Sequence, residues 1–337
     1  MRARGSKGKA CVAALAACVI LCAAGARAAQ AQTPAPAQQA SEQEATPRLR
    51  QRDTSEATLL SRSGLSYRIM VSVPRGPAPE GGFPVFYVLD GDAWFNTAVE
   101  IARIREWGRL SPSIIVGVGY PSRAFFDGAR RNYDFTPPGS ADAAFDPAEL
   151  GGADAFLAFL TGVVRPWVQE RYTIDPGRQT LFGHSMGGLF VLHAMFTAPR
   201  SFDFYLAASP PVRFSNRIIM REAAAFEHDP ARGAVRALIS VGEFESRRSP
   251  QQVEDYRRYF TGHPEATGGL EVEEALRQLF PSAPGFNKAR ELRQLAARLS
   301  RSGASVDFIE FAGDEHTPAG VSALNRGIPL ALRSSQQ

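Results

Sequence analysis

The nine residues Leu181-Phe182-Gly183-His184-Ser185-Met186-Gly187-Gly188-Leu189 constrain this chain more than any others. A strand-like apolar run from Gln179 to Phe182 enters Gly-x-Ser-x-Gly. A helix-like run of Leu189, Phe190, Leu192, His193, Ala194 and Met195 leaves it. With 30 glycines in 337 residues the bare pattern carries little weight, and the strand before and helix after give it meaning. A serine hydroxyl is a poor nucleophile unless it stands clear of the backbone, near a base and near donors for the developing oxyanion. A sharp strand-to-helix turn provides this. It predicts glycine at 183 and 187, because a side chain at either place would collide with the neighbouring strand or helix. Ser185 then stands at a helix N-terminus, where the Met186 amide is free to donate and the dipole favours negative charge.

Ahead of this turn the chain changes character twice. Arg2, Arg4, Lys7 and Lys9 precede an almost wholly apolar run over residues 10–24, and Ala26-Arg27-Ala28 supplies a small-x-small cleavage site. Residues 1–28 therefore read as a secretory signal peptide, too short for a stable membrane span, and place the mature protein in the periplasm or outside the cell. Leu15-Ala16-Ala17-Cys18 resembles a lipobox, which leaves a lipid anchor at Cys18 as the alternative to ordinary cleavage. All three cysteines, Cys11, Cys18 and Cys22, lie in this segment, so cleavage after Ala28 leaves no thiol for a disulfide, a nucleophile or a metal. Cleavage also removes five positive charges, turning the net +4 into −1, and with that any electrostatic case for nucleic-acid binding. Residues 29–56, rich in Ala, Gln and Pro, read as a flexible spacer. Residues 57–333 then form one domain, long enough for a single large core and with no internal repeat or linker.

Within that domain Leu65 to Val73 alternates as an early antiparallel strand. Val85 to Leu89 and Ile114 to Val118 are short, continuously apolar runs of the kind buried on both faces of a parallel sheet. Trp94 to Leu110 and Ala153 to Tyr172 read as helices. Tyr205 to Ala208, Ala237 to Val241 and Val306 to Phe311 read as later strands, with an amphipathic helix at Asn287 to Ser302 between the last two. This alternation predicts an α/β fold, a mostly parallel central sheet with helices on both faces. The aromatic segment Tyr120 to Leu150 reads as a long functional loop forming a pocket wall.

On such a sheet ligands bind beyond the carboxyl ends of the strands. After Val241 comes Gly242-Glu243-Phe244-Glu245, and an acid here can orient an imidazole: Glu245 is preferred, with Glu243 as the alternative. After Phe311 comes Gly313-Asp314-Glu315-His316-Thr317, where His316 can swing over the sheet edge as general base. His184 adjoins the serine and points elsewhere, His193 is on the following helix, and His228 and His263 lie in polar stretches. The chain order Ser185, Glu245, His316 is nucleophile, acid, base. A second oxyanion donor besides Met186 is expected from Leu89-Asp90-Gly91-Asp92, at the Asp92 amide. No spaced set of His and carboxylates accompanies Asp90 and Asp92, so no metal is expected, and nothing in the pattern calls for a cofactor.

Taken together, Tyr87-Val88-Leu89-Asp90-Gly91, Arg131-x-Tyr133-Asp134-x-Thr136-Pro137, Arg165-Pro166-Trp167 to Tyr172, Gly183 to Leu189 and the late His316 resemble the putative-esterase family of α/β-hydrolases. Within it the likeness is to bacterial esterases that open trilactone siderophores of the enterobactin and salmochelin type. The resemblance spans roughly residues 55–330 and implies an α/β-hydrolase fold and ester hydrolysis through an acyl-Ser185 intermediate, with a small-molecule ester, a ferric siderophore among them, as substrate. It places Arg131 beside the substrate, where a guanidinium can hold an anionic catecholate; the alternative is a structural arginine paired to Asp134 or another loop acid. Some esterases of this kind use serine and histidine alone, in which case Glu245 is a bystander. A general carboxylesterase or acyltransferase acting on feruloyl, thioester or lipid acyl groups uses the same residues, and an idle hydrolase fold acting as a binding module is the remote alternative. Residues 246–286 have no counterpart in the resemblance.

Overall fold

The computed structural model describes residues 53–107, 110–143, 145–229, 233–246, 250–267, 270–279 and 287–332. The signal-like segment 1–28 with Cys18, and the spacer as far as residue 52, lie outside the described residues, as do residues 247–249, 268–269 and 280–286 of the 246–286 stretch.

Every predicted strand forms. β2 (Ser66–Ser72) pairs antiparallel with β1 (Thr54–Leu60) on one side and with β4 (Ile114–Gly119) on the other. β3 (Phe83–Leu89), β5 (Ile174–His184), β6 (Phe204–Ala208), β7 (Arg236–Gly242) and β8 (Ser305–Phe311) complete the sheet, with β4 parallel to them. The order is β1-β2-β4-β3-β5-β6-β7-β8. The strand that delivers Ser185 is thus central, between β3 and β6, and both neighbours end beside it. Thr54 to Glu56, the first three residues of β1, fall in the stretch that reads as spacer. The alternate exposure of β1 along an edge gives it none of the apolar continuity that marks the inner strands.

The pleat sends alternate side chains to two layers. From β3, Tyr87 and Leu89 join Phe135, Phe156, Phe190, Phe226, Leu292 and Leu295 on one face. These come from α2 (Gly128–Phe135), α3 (Ala153–Phe159), α5 (Met186–Thr197), α6 (Phe214–Glu227) and α9 (Lys288–Arg301). Phe86 and Val88 point the other way, against Trp94, Phe95, Leu324 and Ile328 of α1 (Gly91–Trp107) and α10 (Pro318–Leu332). Met186 to Phe196 of α5 are all buried, which explains an apolar composition on every side of that helix. The helix predicted from Ala153 to Tyr172 passes from α3 through a π-helical turn, Leu160–Val164, into α4 (Arg165–Gln169). The run from Pro147 to Gln169 is long and apolar enough to cross a membrane, and spends that apolarity on the core through Phe156, Phe159, Leu160 and Val164.

The segment Tyr120 to Leu150 is not one loop. Its middle is α2, capped by Asp127, whose carboxylate accepts the Arg130 amide. Residues 256–279 make a small body of their own. It contains the end of α7 (Pro250–Gly262) and α8 (Val272–Leu279), with Phe260, Ala275 and Leu276 buried among Tyr256, Tyr259 and Val272, and Arg257 paired to Glu273 at 2.8 Å.

Candidate active site

Ser185 sits between β5 and α5 at φ 59°, ψ −119°, a conformation that costs a residue with a Cβ of order 1–3 kcal/mol. The turn holds it there. The Ser185 amide donates to the Ala208 carbonyl at 2.9 Å, and its own carbonyl accepts Leu189 N–H at 3.0 Å. A Cβ on Gly183 would run into the Gly187 carbonyl, as the sequence predicts. At Gly187 the prediction is corrected: a Cβ there meets Asp90, Leu89 and Phe135 at 3.6–3.8 Å, ordinary contact. The crowded partner is Gly188, whose Cβ would lie 2.6 Å from the Ala208 carbonyl oxygen. Gly188→Ala is therefore expected to lose about 2–4 kcal/mol of unfolding free energy. Gly187→Ala should stay at or above wild-type stability, since it also restrains the unfolded chain. Urea titration of the two variants checks this.

The residues named by the sequence converge on the serine. His316 Nε2 lies 3.0 Å from Ser185 Oγ, and His316 Nδ1 lies 2.6 Å from Glu245 Oε2. The carboxylate can only accept, so Nδ1 carries the proton and Nε2 is the free acceptor for the serine hydroxyl. Glu245 is almost fully buried in the 3-10 turn after β7, and four donors surround it. Ser209 Oγ at 2.6 Å and the Gly242 amide at 2.8 Å donate to Oε1; Lys288 Nζ at 2.7 Å joins His316 at Oε2. Burial alone would push this carboxyl up. The Lys288 ammonium and the His316 hydrogen bond outweigh it and hold the group well below the usual carboxylate range.

Glu243, the alternative acid, points away: its Oε2 accepts the Gly313 amide at 2.9 Å and so braces the His316 loop. The same loop is tied to the end of β7 by the Phe244 amide, which donates to the Asp314 carbonyl at 2.9 Å. His184 does not reach the nucleophile. Its Nε2 donates to the His316 carbonyl at 2.7 Å, and its ring lies 4.6 Å from the His316 ring. Burial pushes its pKa down to about 3, with the neighbouring His316 acting in the same direction, so it stays a neutral brace. His193 is buried in α5 between Glu222 and Asp154, each 3.0 Å from a ring nitrogen. Burial opposes its charge, and the two carboxylates more than offset that, raising its pKa. Among the described residues no group of three or more His, Cys, Asp or Glu side chains is arranged to hold a metal ion.

The two backbone amides expected to receive an oxyanion, those of Met186 and Asp92, both lie in the first turn of a helix. Met186 is the first residue of α5, and Asp92 the second of α1, just after β3; the first N–H groups of a helix lack partners within it. The Ala93 and Trp94 amides fold back to the Asp90 carbonyl, while none of the described residues accepts from the Asp92 amide. An arginine clamps each of the acids in this turn. Arg131 Nε and Nη2 meet the Asp90 carboxylate at 3.0 Å each, and Arg68 Nη1 pairs with Asp92. Gly91 packs so tightly on β4 that a Cβ would stand 2.9 Å from the Val118 nitrogen.

Of the two arrangements expected for Arg131, beside the substrate or paired to Asp134 or another loop acid, the pairing is the one seen, and its acid is Asp90. Its guanidinium forms a bidentate pair with a buried acid, lies over Phe126 and Phe135 at 5.1 and 5.5 Å, and is only 11% exposed. The rest of its motif is also structural. Asp134 accepts the Tyr67 hydroxyl at 3.0 Å, and burial pushes it up to about 6. The Thr136 hydroxyl donates to the Asn132 carbonyl at 2.8 Å and accepts the Gly151 amide at 2.7 Å. Lys288, Ser209 and Arg68 carried no sequence signal, because each acts through a partner distant in the chain.

A strained serine, an imidazole with its free nitrogen on the hydroxyl, a buried acid and two amides in the first turns of helices together can do acyl transfer. A family model described as Putative esterase matches residues 61–249. The chain is 30% identical over 279 residues to ferri-bacillibactin esterase BesA of Bacillus subtilis, covering 79% of this chain and 85% of that one. It is 32% identical over 290 residues to the siderophore triacetylfusarinine C esterase of Aspergillus fumigatus, covering 79% and 89%. Among solved structures, the siderophore hydrolase EstB from Aspergillus nidulans matches with a TM-score of 0.68 at 27% identity, over 86% of this chain and 98% of that one.

Proposed function

The chain belongs to the Putative esterase family of α/β-hydrolases, and from that premise we propose that it is an exported serine esterase that opens siderophore esters through an acyl-Ser185 intermediate. The observation that carries the mechanism is the continuous bond path from Ser185 Oγ through His316 to Glu245. His316 Nε2 takes the hydroxyl proton as Oγ attacks the ester carbonyl, and the Met186 and Asp92 amides receive the oxyanion. The tetrahedral intermediate collapses, the carbon–oxygen bond to the alcohol breaks, and the imidazolium returns its proton to that oxygen. Water, deprotonated by the same nitrogen, then releases the acid. Glu245 holds the imidazole in the required tautomer and offsets its charge. The basic start and apolar run of residues 1–28 support export, by ordinary cleavage or by lipidation at Cys18.

Siderophore processing draws its support from the named substrates of the two long-matching relatives, and a trilactone is the form proposed here. One observation favours a second reading, a general carboxylesterase or acyltransferase: the arginine expected to meet a catecholate is occupied by Asp90. Comparing kcat/KM for ferric enterobactin, the metal-free trilactone and p-nitrophenyl butyrate separates them. A preference of about 10²-fold or more for either trilactone is expected. Turnover of the short ester alone rejects the siderophore assignment and leaves the esterase. An idle fold would hydrolyse none of the three and would leave Ser185 unlabelled by a fluorophosphonate.

A further inference from the structure

Lys288 opens α9 with its side chain 12% exposed, at a position that suits a cation badly. The N-terminal end of a helix carries partial positive charge, so a lysine there is repelled by the dipole as well as stripped of water. Helix stability does not account for it. Asn287 already caps α9 by accepting the Arg290 amide at 2.7 Å, and the Ala289 amide is held by Ser246 Oγ at 2.8 Å. What the ammonium meets is the catalytic acid. Nζ is 2.7 Å from Glu245 Oε2, the oxygen that receives His316 Nδ1–H, and 2.9 Å from the Ser209 carbonyl. Ser209 is fixed in turn, its amide donating to the Ser240 carbonyl at 2.8 Å and its hydroxyl to Glu245.

We propose that Lys288 is a positioning residue for the hydrolysis, orienting Oε2 of Glu245 toward His316 and carrying the activity to lower pH than the triad alone would reach. This rests on the serine-esterase reading above. A buried carboxylate with no counter-cation exerts its whole negative charge on the imidazole it touches, favouring the imidazolium, which cannot take the serine proton. The other ionisable groups on the surrounding elements are His184 below the ring, Glu243 on the β7 turn, and Asp314 and Glu315 on the His316 loop. Three of these are acids, which push the same way as Glu245, and His184 is neutral. Among the described residues, Lys288 is the cation paired to Glu245 and so opposes them.

The test is the pH dependence, from pH 4 to 9, of p-nitrophenyl butyrate hydrolysis and of the second-order rate of fluorophosphonate labelling at Ser185. Neither readout requires the natural substrate. In Lys288→Met the acid limb of both profiles is expected to move up by about 0.5–1 pH unit. kcat should fall roughly 3- to 10-fold, with KM within about twofold. Lys288→Gln keeps a donor and loses the charge; the limb should move as in Lys288→Met, whereas Lys288→Arg should leave it in place. Thermal unfolding identifies any variant that fails to fold, and the remaining two still decide. An unmoved limb in the charge-removing variants, including an equal loss at every pH, overturns the proposal. A wild type that neither hydrolyses the ester nor takes the label overturns the serine-esterase reading itself, and this proposal with it.

Discussion

Ser185→Ala is expected to lower kcat on every ester the wild type hydrolyses by roughly 10⁴- to 10⁶-fold, with thermal unfolding unchanged. The loss follows from chemistry: no other hydroxyl stands in for Oγ, because the path through His316 Nε2 ends on that atom. The unchanged stability follows from geometry. Alanine keeps the Cβ, so the strain at φ 59°, ψ −119° is the same, and the bond forfeited is one to a half-exposed imidazole that water can replace. Ser185→Gly sharpens the test. It should be equally inactive yet more stable by about 1 kcal/mol, since glycine enters this region without a Cβ penalty. Such a gain would show that the strain belongs to the placement of the nucleophile rather than to the needs of the fold. More than a few per cent residual activity in Ser185→Ala would refute the assignment of the nucleophile.

The residues legible in the sequence are those whose role is written locally. Ser185, Glu245 and His316 each follow an apolar strand within a few positions, and parallel strands bring their carboxyl ends to one edge, so chain order translates into space. Pairing of charges does not translate. From the sequence Arg131 has Asp134 three positions away as its natural partner. In the structure Arg131 reaches back to Asp90, and Asp134 goes to Tyr67. Both choices depend on how α2 packs against α3 and α5, which no local pattern encodes. α2 itself is masked by Gly128, Asn132 and Asp134, poor helix formers, although Asp127 followed by Arg130 is a legible cap. The glycine error has a similar origin. The motif names 183 and 187, while the close approach of β6 to α5 falls one residue later, at Gly188. Lys288 is hidden for the plainest reason: it meets Glu245 across 43 residues of chain, beyond a segment with no counterpart in the resemblance.

Glu245→Gln is expected to cost about 10²- to 10⁴-fold in kcat, because every donor around the carboxylate is placed for an acceptor with two equivalent oxygens. An amide has one. If its NH2 takes the Oε2 side, it faces the Lys288 ammonium and His316 Nδ1–H; the imidazole is then driven to the other tautomer, with Nε2–H pointing at Ser185 and no base left. If the NH2 takes the Oε1 side, Ser209 can turn its hydroxyl to accept, but the Gly242 amide meets another donor. The tautomer survives there, the negative charge does not, and the imidazolium formed in the transition state loses its counter-ion. Either arrangement leaves Lys288 nearly buried beside a neutral group, which should also cost about 3–5 kcal/mol of stability. Adding Lys288→Met to Glu245→Gln removes that stranded cation, so the double variant should be more stable than Glu245→Gln while its kcat stays low. Stability and rate then separate. A kcat within about threefold of wild type in Glu245→Gln would instead mean that Ser185 and His316 work as a pair, with Glu245 and Lys288 reduced to structural support.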